Sequence, residues 1–187
     1  MRDVRQANSQ EPTDEALIAA YLAGDRAAAR MLTLRHLPRV LAVAQRMLGD
    51  RAEAEDIAQE AMLRLWRTAP DWTPGGAKLS TWLYRVTSNL AIDRIRRRRP
   101  VAPLDSVPEP QDDRASALDG LEAAERQGRL AAALSRLPDR QRLALSLRFD
   151  ENLSNGEIAE VLEISVDAVE SLVARAKRGL RSMLGEE

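Results

Sequence analysis

The segment from Leu79 to Arg99 constrains the fold more than any other, because its apolar residues repeat at helical spacing. The apolar side of the predicted helix carries Leu79, Leu83, Val86 and Leu90. The opposite side carries cationic and amide side chains, which are Arg85, Asn89 and Arg96, and Trp82 lies at the border between the two sides. The segment ends in an arginine run, a pattern of phosphate binding, and most of the chain's aromatics lie in or just before it. We expect one side to pack and the other to meet unpaired bases, which proteins hold with rings beside cations. A solvated helix end would explain the arginines alone equally well.

The composition predicts an all-α protein with aliphatic cores. Ala, Leu, Arg and Glu dominate, runs of β-branched residues are missing, and only 3% of the 187 residues are aromatic. There is no cysteine and a single histidine, His36. These counts argue against a zinc site, a disulfide, a thiol nucleophile or a histidine-based triad. We therefore expect no catalytic residue, no metal and no cofactor, and we expect His36 to be packed or solvated.

The amino terminus lacks the apolar core of a signal peptide, and no stretch approaches the roughly 20 apolar residues of a membrane span. The sequence therefore predicts a cytoplasmic protein without membrane insertion.

A proline-rich, acidic stretch divides the chain. It predicts a flexible linker over residues 100–117 between two small helical domains, 1–99 and 118–187. The net charges of the three parts are +5, −3 and −3 in that order, which suggests different partners for the two domains. Periodicity and breakers predict helices at 14–23, 25–48, 51–69, 79–98, 118–135, 139–149, 155–162 and 166–184.

The second domain carries a helix-turn-helix pattern. Ser154 to Glu157 reads as a capping box, and Ser165 is expected to cap the second helix. Small Ala159 allows the two helices to approach, whereas Glu163 stands where such turns often have glycine. The second helix would expose a surface that fits a major groove, although a helical hairpin without a DNA role shows the same pattern.

Three segments together resemble bacterial RNA polymerase sigma factors of the extracytoplasmic-function (ECF) group in the sigma-70 family. They are Glu55–Trp66, Leu79–Arg99, and Leu137–Phe149 with the helix-turn-helix that follows. The resemblance implies a sigma-2-like domain at 1–99 and a sigma-4-like domain at 118–187. It also implies a stress- or signal-responsive initiation factor whose partners are core RNA polymerase, promoter DNA and an anti-sigma factor.

The same resemblance implies residue roles. Core polymerase would be bound by Asp56, Gln59 and Glu60, which share a helix face. The minus-10 element would be bound and melted by Trp72, Lys78, Trp82, Arg85, Asn89, Arg96 and Arg97. The minus-35 element would be read by Asp167, Glu170, Ser171, Arg175, Lys177 and Arg178. Glu170 and Leu172 stand where many relatives have basic residues, so the minus-35 preference is expected to be atypical.

Two other interpretations remain open at this point. One is a helix-turn-helix regulator that senses a ligand and binds promoters without core polymerase. The other is a small helical enzyme, against which the scarcity of His and Cys and the lack of a Gly-rich phosphate loop both argue.

Overall fold

The computed structural model describes residues 11–98 and 118–185, and side-chain burial within the second range from residue 127. All regular structure in these ranges is helical, which confirms the predicted all-α class. The eight α-helices are α1 (Asp14–Leu22), α2 (Arg26–Leu48), α3 (Arg51–Thr68), α4 (Leu79–Arg98), α5 (Leu118–Arg136), α6 (Asp139–Leu145), α7 (Asn155–Leu162) and α8 (Val166–Leu184). The expected flexible linker at 100–117 lies outside the described residues.

Local capping explains where the first helices begin. Asp25 and Asp50 accept hydrogen bonds from the backbone N–H groups of Ala27 and Glu53, at 2.8 and 2.9 Å, at the starts of α2 and α3. Gly49 ends α2 in the left-handed conformation, with φ of 69°. These side chains satisfy donors that the first turns of the helices leave unpaired.

Helices α1 to α4 pack around an aliphatic core, as the composition predicts. Leu17 of α1, Leu32 of α2 and Leu65 of α3 are buried in it together with Leu79 and Leu83 of α4. Val86 and Leu90 are half-buried against the same core. The apolar side predicted for α4 is therefore confirmed.

His36 is packed, as expected for a lone helical histidine. Its Nε2 lies 2.8 Å from Asp14 Oδ2, and Arg35 binds the other carboxylate oxygen of Asp14 at 2.7 Å. Burial raises the pKa of Asp14, but hydrogen bonds from His36 and Arg35 outweigh this, and the net shift is downward. The cluster ties the start of α1 to α2.

The helix predicted over 139–149 is divided in the structure. The α-helical part ends at Leu145, and a wider π-helical turn follows from Ser146 to Asp150. Arg148 closes this turn by donating to the carbonyl oxygen of Leu153 at 2.9 Å. The turn places two acids, Asp150 and Glu151, beside Arg46 of α2.

Helices α7 and α8 form the predicted helix-turn-helix. The capping box is present: Ser154 Oγ accepts from the Glu157 N–H at 3.2 Å, and Glu157 Oε2 accepts from the Ser154 N–H at 3.0 Å. Ser165 caps α8 through the N–H of Ala168. Glu163 in the turn adopts φ of 54°, the left-handed region in which a side chain is strained.

Replacing Glu163 with glycine is expected to give a more stable protein than replacing it with alanine, by roughly 1 kcal/mol, because only glycine occupies this region without strain. Both variants lose the carboxylate equally, so the comparison isolates the backbone effect. Urea unfolding of the two variants measures the difference. Equal midpoints and slopes would show that the turn relaxes around alanine.

The two halves of the chain pack against each other through an apolar core. Val43 and Met47 of α2 and Tyr84 of α4 belong to the same cluster as Leu147 and Ile158. Helix α4 therefore has two buried sides, one toward α1 to α3 and the other toward α7. Tyr84, Ser88 and Ala91 mark the second buried side.

Candidate nucleic-acid interface

Two tryptophans lie together at the start of α4. The rings of Trp72 and Trp82 meet edge to face, with centroids 6.1 Å apart, and both side chains are half-buried. A short 3₁₀ turn over Ala69–Asp71 precedes Trp72, and Glu15 of α1 accepts a hydrogen bond from the Gly75 N–H at 2.9 Å. The loop before α4 is thereby held against α1, with its tryptophan beside Trp82.

The other aromatics near α4 do not join this pair. Trp66 packs on Tyr21 with centroids 4.9 Å apart, and Tyr84 is buried on the side of α4 that faces α7. A count of aromatics along the sequence therefore overstates the rings available for stacking. Among the described residues of α4 and the loop before it, Trp72 and Trp82 are the pair of rings that can stack on bases.

The arginines at the end of α4 have two roles. Arg94 and Arg98 both reach Glu53 of α3, Arg94 at 3.8 Å, and Arg98 also donates to the carbonyl oxygen of Leu48. Arg96 and Arg97 are exposed, as is Asn89 two turns earlier. Part of the arginine run is therefore structural, and part forms a basic surface.

Lys78 and Arg85 also lie on the predicted minus-10 surface, and both meet carboxylates of the second half. Lys78 Nζ is 2.8 Å from Glu157 Oε1, and an Arg85 guanidinium nitrogen is 3.3 Å from Glu163 Oε1. The hydrogen bond with Lys78, together with those from Ser154, lowers the pKa of Glu157 to about 2. The same contact raises the pKa of Lys78, so both groups are charged at neutral pH.

The proposed polymerase-binding residues lie on α3. Asp56 and Gln59 are exposed, while Glu60 is half-exposed and binds Arg64 one turn later at 2.9 Å. Beside them is an apolar groove of about 490 Å³ between α2 and α3, whose lining includes Gln59 and an exposed leucine, Leu63. Leu63 lies one helical turn after Gln59, and sequence reasoning missed it because the groove depends on how α2 packs on α3.

Most of the predicted minus-35 residues share the outer side of α8. Asp167, Glu170, Ser171, Arg175 and Arg178 are exposed there. Lys177 lies at the edge, with its Nζ 4.7 Å from the centre of the Phe149 ring. Sequence reasoning missed Asn155, whose side-chain amide donates to Glu170 Oε1 at 3.3 Å from the start of α7.

The described residues were also searched for a membrane-spanning helix and for a metal site. None of the helices in the described ranges is long and apolar enough to span a bilayer. Among the same residues, no three His, Cys, Asp or Glu side chains are grouped as a metal site would require.

Both halves of the chain match models of the sigma-70 protein family. Residues 32–101 match the model of Sigma-70 region 2, and residues 127–180 match that of Sigma-70, region 4. The order of the two matches is that of a sigma-70 family protein with these two regions.

Individual relatives show which group of sigma-70 family proteins this chain resembles. The chain is 34% identical to the ECF RNA polymerase sigma factor SigE of Mycolicibacterium smegmatis, over 95% of this chain and 70% of SigE. It is 35% identical to SigW of Bacillus subtilis, an ECF RNA polymerase sigma factor, over 74% of this chain and 79% of SigW. The chain belongs to the ECF RNA polymerase sigma factors, which direct core RNA polymerase to specific promoters and initiate transcription. The alternative of a regulator that acts without core polymerase is not favoured.

Solved structures agree with this assignment. CnrH, in complex with the cytosolic domain of CnrY, superposes with a TM-score of 0.69 at 27% identity, over 93% of this chain and 98% of CnrH. The sigma factor RpoE of Bartonella quintana, solved with the anti-sigma factor NepR, has a TM-score of 0.64 at 22% identity over 83% of this chain and 96% of that one. At this lower identity, the similarity to RpoE supports the fold assignment alone.

Proposed function

We propose that α4 and the loop before it bind the non-template strand of the minus-10 element and help to melt it. The observation that carries this proposal is the Trp72–Trp82 pair at the start of α4, followed along the same helix by the exposed Asn89, Arg96 and Arg97. Bases stack on aromatic rings, and arginines bind the phosphates that connect them. Lys78 and Arg85 extend the basic surface toward the amino end of α4.

The other two surfaces complete the proposal. Asp56, Gln59 and Glu60 on α3 bind a basic surface of core polymerase, and the apolar groove beside them adds contact area. The exposed residues of α8, with Lys177 at the edge, read the minus-35 element in the major groove. The sigma-2-like domain then spans 1–99, the linker 100–117 and the sigma-4-like domain 118–187. Joining two modest binders raises the affinity of the whole chain through effective concentration.

Three further assignments follow from this role. The protein works in the cytoplasm with the polymerase, it contributes no catalytic group or cofactor of its own, and nucleotide addition belongs to the polymerase. An anti-sigma factor is proposed as a further partner, because CnrH was solved with the cytosolic domain of CnrY and the sigma factor RpoE with the anti-sigma factor NepR.

The test is transcription from a library of genomic promoters by core polymerase reconstituted with this chain. Specific initiation at promoters that share two sequence elements would support the proposal. Specific binding of the chain to duplex promoters in the absence of core polymerase would contradict it.

Glu170 offers a test of the minus-35 surface. A carboxylate can accept a hydrogen bond from cytosine N4, and Asn155 holds one Glu170 oxygen at 3.3 Å. Replacing Glu170 with arginine is expected to raise non-specific DNA affinity, to steepen its salt dependence by about one phosphate contact, and to change base preference at one minus-35 position. Selection from a randomised minus-35 library measures the preference, with Glu170→Gln as the charge control. An unchanged preference would remove Glu170 from the reading set.

A further inference from the structure

One side-chain contact joins the two helices of the helix-turn-helix at the edge of the surface proposed for the minus-35 element. Asn155 is the first residue of α7, and its amide donates to Oε1 of Glu170, the fifth residue of α8, at 3.3 Å. An ionised carboxylate has no hydrogen to donate, so the nitrogen of the Asn155 amide is the atom that faces it. Glu170 keeps Oε2 as an acceptor, and Asn155 keeps a second N–H.

No cation of α8 neutralises Glu170. Ion-pair partners on a helix stand three or four residues away, and on α8 these positions hold Val166, Asp167, Val173 and Ala174. Among the described residues, the contact with Asn155 is the one hydrogen bond of the Glu170 side chain, and no ion pair reaches it. An unpaired acid on this surface lowers general DNA affinity, because it repels phosphates. The charge of Glu170 and its second oxygen are therefore available to a base.

The packing of α7 on α8 fixes where this contact lies. Ile158, one turn after Asn155, and Val169, beside Glu170, are fully buried in the same apolar cluster. The helix-turn-helix itself therefore holds the backbones that carry the two polar side chains. Asn155 orients the carboxylate without any movement of either helix, whereas an exposed glutamate without such a partner would populate several rotamers.

The two side chains together present an acceptor beside a donor, and a C·G pair in the major groove matches both. The cytosine N4 amino group donates, and the guanine O6 beside it accepts. Glu170 Oε2 can accept from N4 while the second N–H of Asn155 donates to O6. In an A·T pair the adenine amino group lies between two acceptors, N7 and the thymine O4. A carboxylate beside that amino group is repelled by the acceptor that the amide leaves uncovered.

We propose that Asn155 is a specificity-determining residue of the minus-35 surface, and that it reads a C·G pair jointly with Glu170. Glu170 selects a base with an amino group, and Asn155 selects cytosine over adenine. The inference rests on the proposed assignment of α8 to the minus-35 element, and it adds a residue of α7 to that surface. Specificity of this kind comes from repulsion of the wrong base as much as from attraction to the right one.

The first experiment removes the donor and keeps the fold. Asn155→Asp has the same shape, and an acid in the first turn of α7 suits the positive end of the helix dipole. Ionised aspartate cannot donate to Glu170 and repels it. Core polymerase reconstituted with the variant is tested on promoters in which the minus-35 position that responds to Glu170→Arg carries cytosine or adenine. We expect the ratio of initiation, cytosine over adenine, to fall roughly fivefold or more.

The matched control is Gln141→Glu, which also replaces an amide with a carboxylate. Gln141 is the third residue of α6, where an acid is equally favourable, and it lies outside the three proposed binding surfaces. Its cytosine-to-adenine ratio is expected to stay within about twofold of that of the unaltered chain. Equal losses in Gln141→Glu and Asn155→Asp would overturn the proposal, because they would reflect added charge alone.

A second pair of variants separates the amide from the bulk of the side chain. Asn155→Gln keeps an amide donor and should retain part of the cytosine preference, whereas Asn155→Ala should lose it. Urea unfolding is expected to show that both remain folded, since Ser154 still caps α7. An Asn155→Ala chain that discriminates cytosine from adenine as well as the unaltered chain does would overturn the inference.

These outcomes separate the inference from the proposed function. If no minus-35 position shows a base preference, the assignment of α8 is wrong and the inference fails with it. A preference that changes in Glu170→Arg supports the assignment. If cytosine is then not the preferred base, or if Asn155→Asp leaves the ratio unchanged, the assignment stands and the joint reading by Asn155 and Glu170 is wrong.

Discussion

Reversing the charges of Asp56 and Glu60, by lysine at both positions, is expected to weaken binding of core RNA polymerase by roughly a hundredfold or more. Like charges that face each other across an interface cost several kcal/mol, and both carboxylates are accessible on α3. The folding cost should be small, because Asp56 is exposed and the Glu60–Arg64 pair is an ordinary i,i+4 contact. A binding titration with labelled core polymerase measures the loss.

Variants that neutralise rather than reverse the two charges serve as controls for this prediction. The neutral variant Asp56→Asn/Glu60→Gln should lose less affinity than the lysine variant, and added salt should narrow the difference between them. Circular dichroism and urea unfolding must show that all variants remain folded. Affinity for core polymerase that is unaltered in the lysine variant would contradict the assignment of this surface.

Replacing Trp82 with alanine is expected to reduce open-complex formation by roughly 5- to 150-fold while core polymerase binding changes little. A ring stacked on a base contributes ~1 to 3 kcal/mol, and the substitution also removes the edge-to-face partner of Trp72. Permanganate reactivity of melted thymines measures opening, and the titration described above measures core binding.

Two controls distinguish stacking from packing at Trp82. A promoter that is already unpaired at the minus-10 element should partly rescue the alanine variant, and Trp82→Phe should retain part of the activity because it keeps a ring. Equal losses of opening and of core binding would instead indicate that Trp82 acts by packing within the domain.

The helices and their ends follow from local sequence. A capping side chain acts within three residues of its partner, as Ser154 and Glu157 do, and an apolar side repeats within two turns, as Leu79 and Leu83 do on α4. Such interactions involve neighbours in the chain, so they can be predicted without knowledge of the fold. The π-helical turn over Ser146–Asp150 escaped prediction, because Leu145 to Phe149 continues an ordinary helical pattern.

The candidate site was predicted in part. The resemblance implied Trp72 and Trp82 separately, and only the structure brings their rings together. Arg96, Arg97 and most of the residues implied on α8 are exposed, and their roles remain predictions. The structural role of Arg94 and Arg98 could not be distinguished from that of Arg96 and Arg97. All four are arginines within five residues of one another, and only the position of Glu53 on the neighbouring helix distinguishes their roles.

The sequence did not predict that α4 has a second buried side, or which acidic side chains contact that side. Lys78 and Glu157 are separated by 79 positions, and Tyr84 and Glu151 by 67. Periodicity reports how residues are arranged around their own helix and carries no information about which distant helix will cover a given side. Caps and inner faces were therefore determined by the order of residues, while the pairing of α4 with α7 depended on how the second half of the chain packs back onto the first.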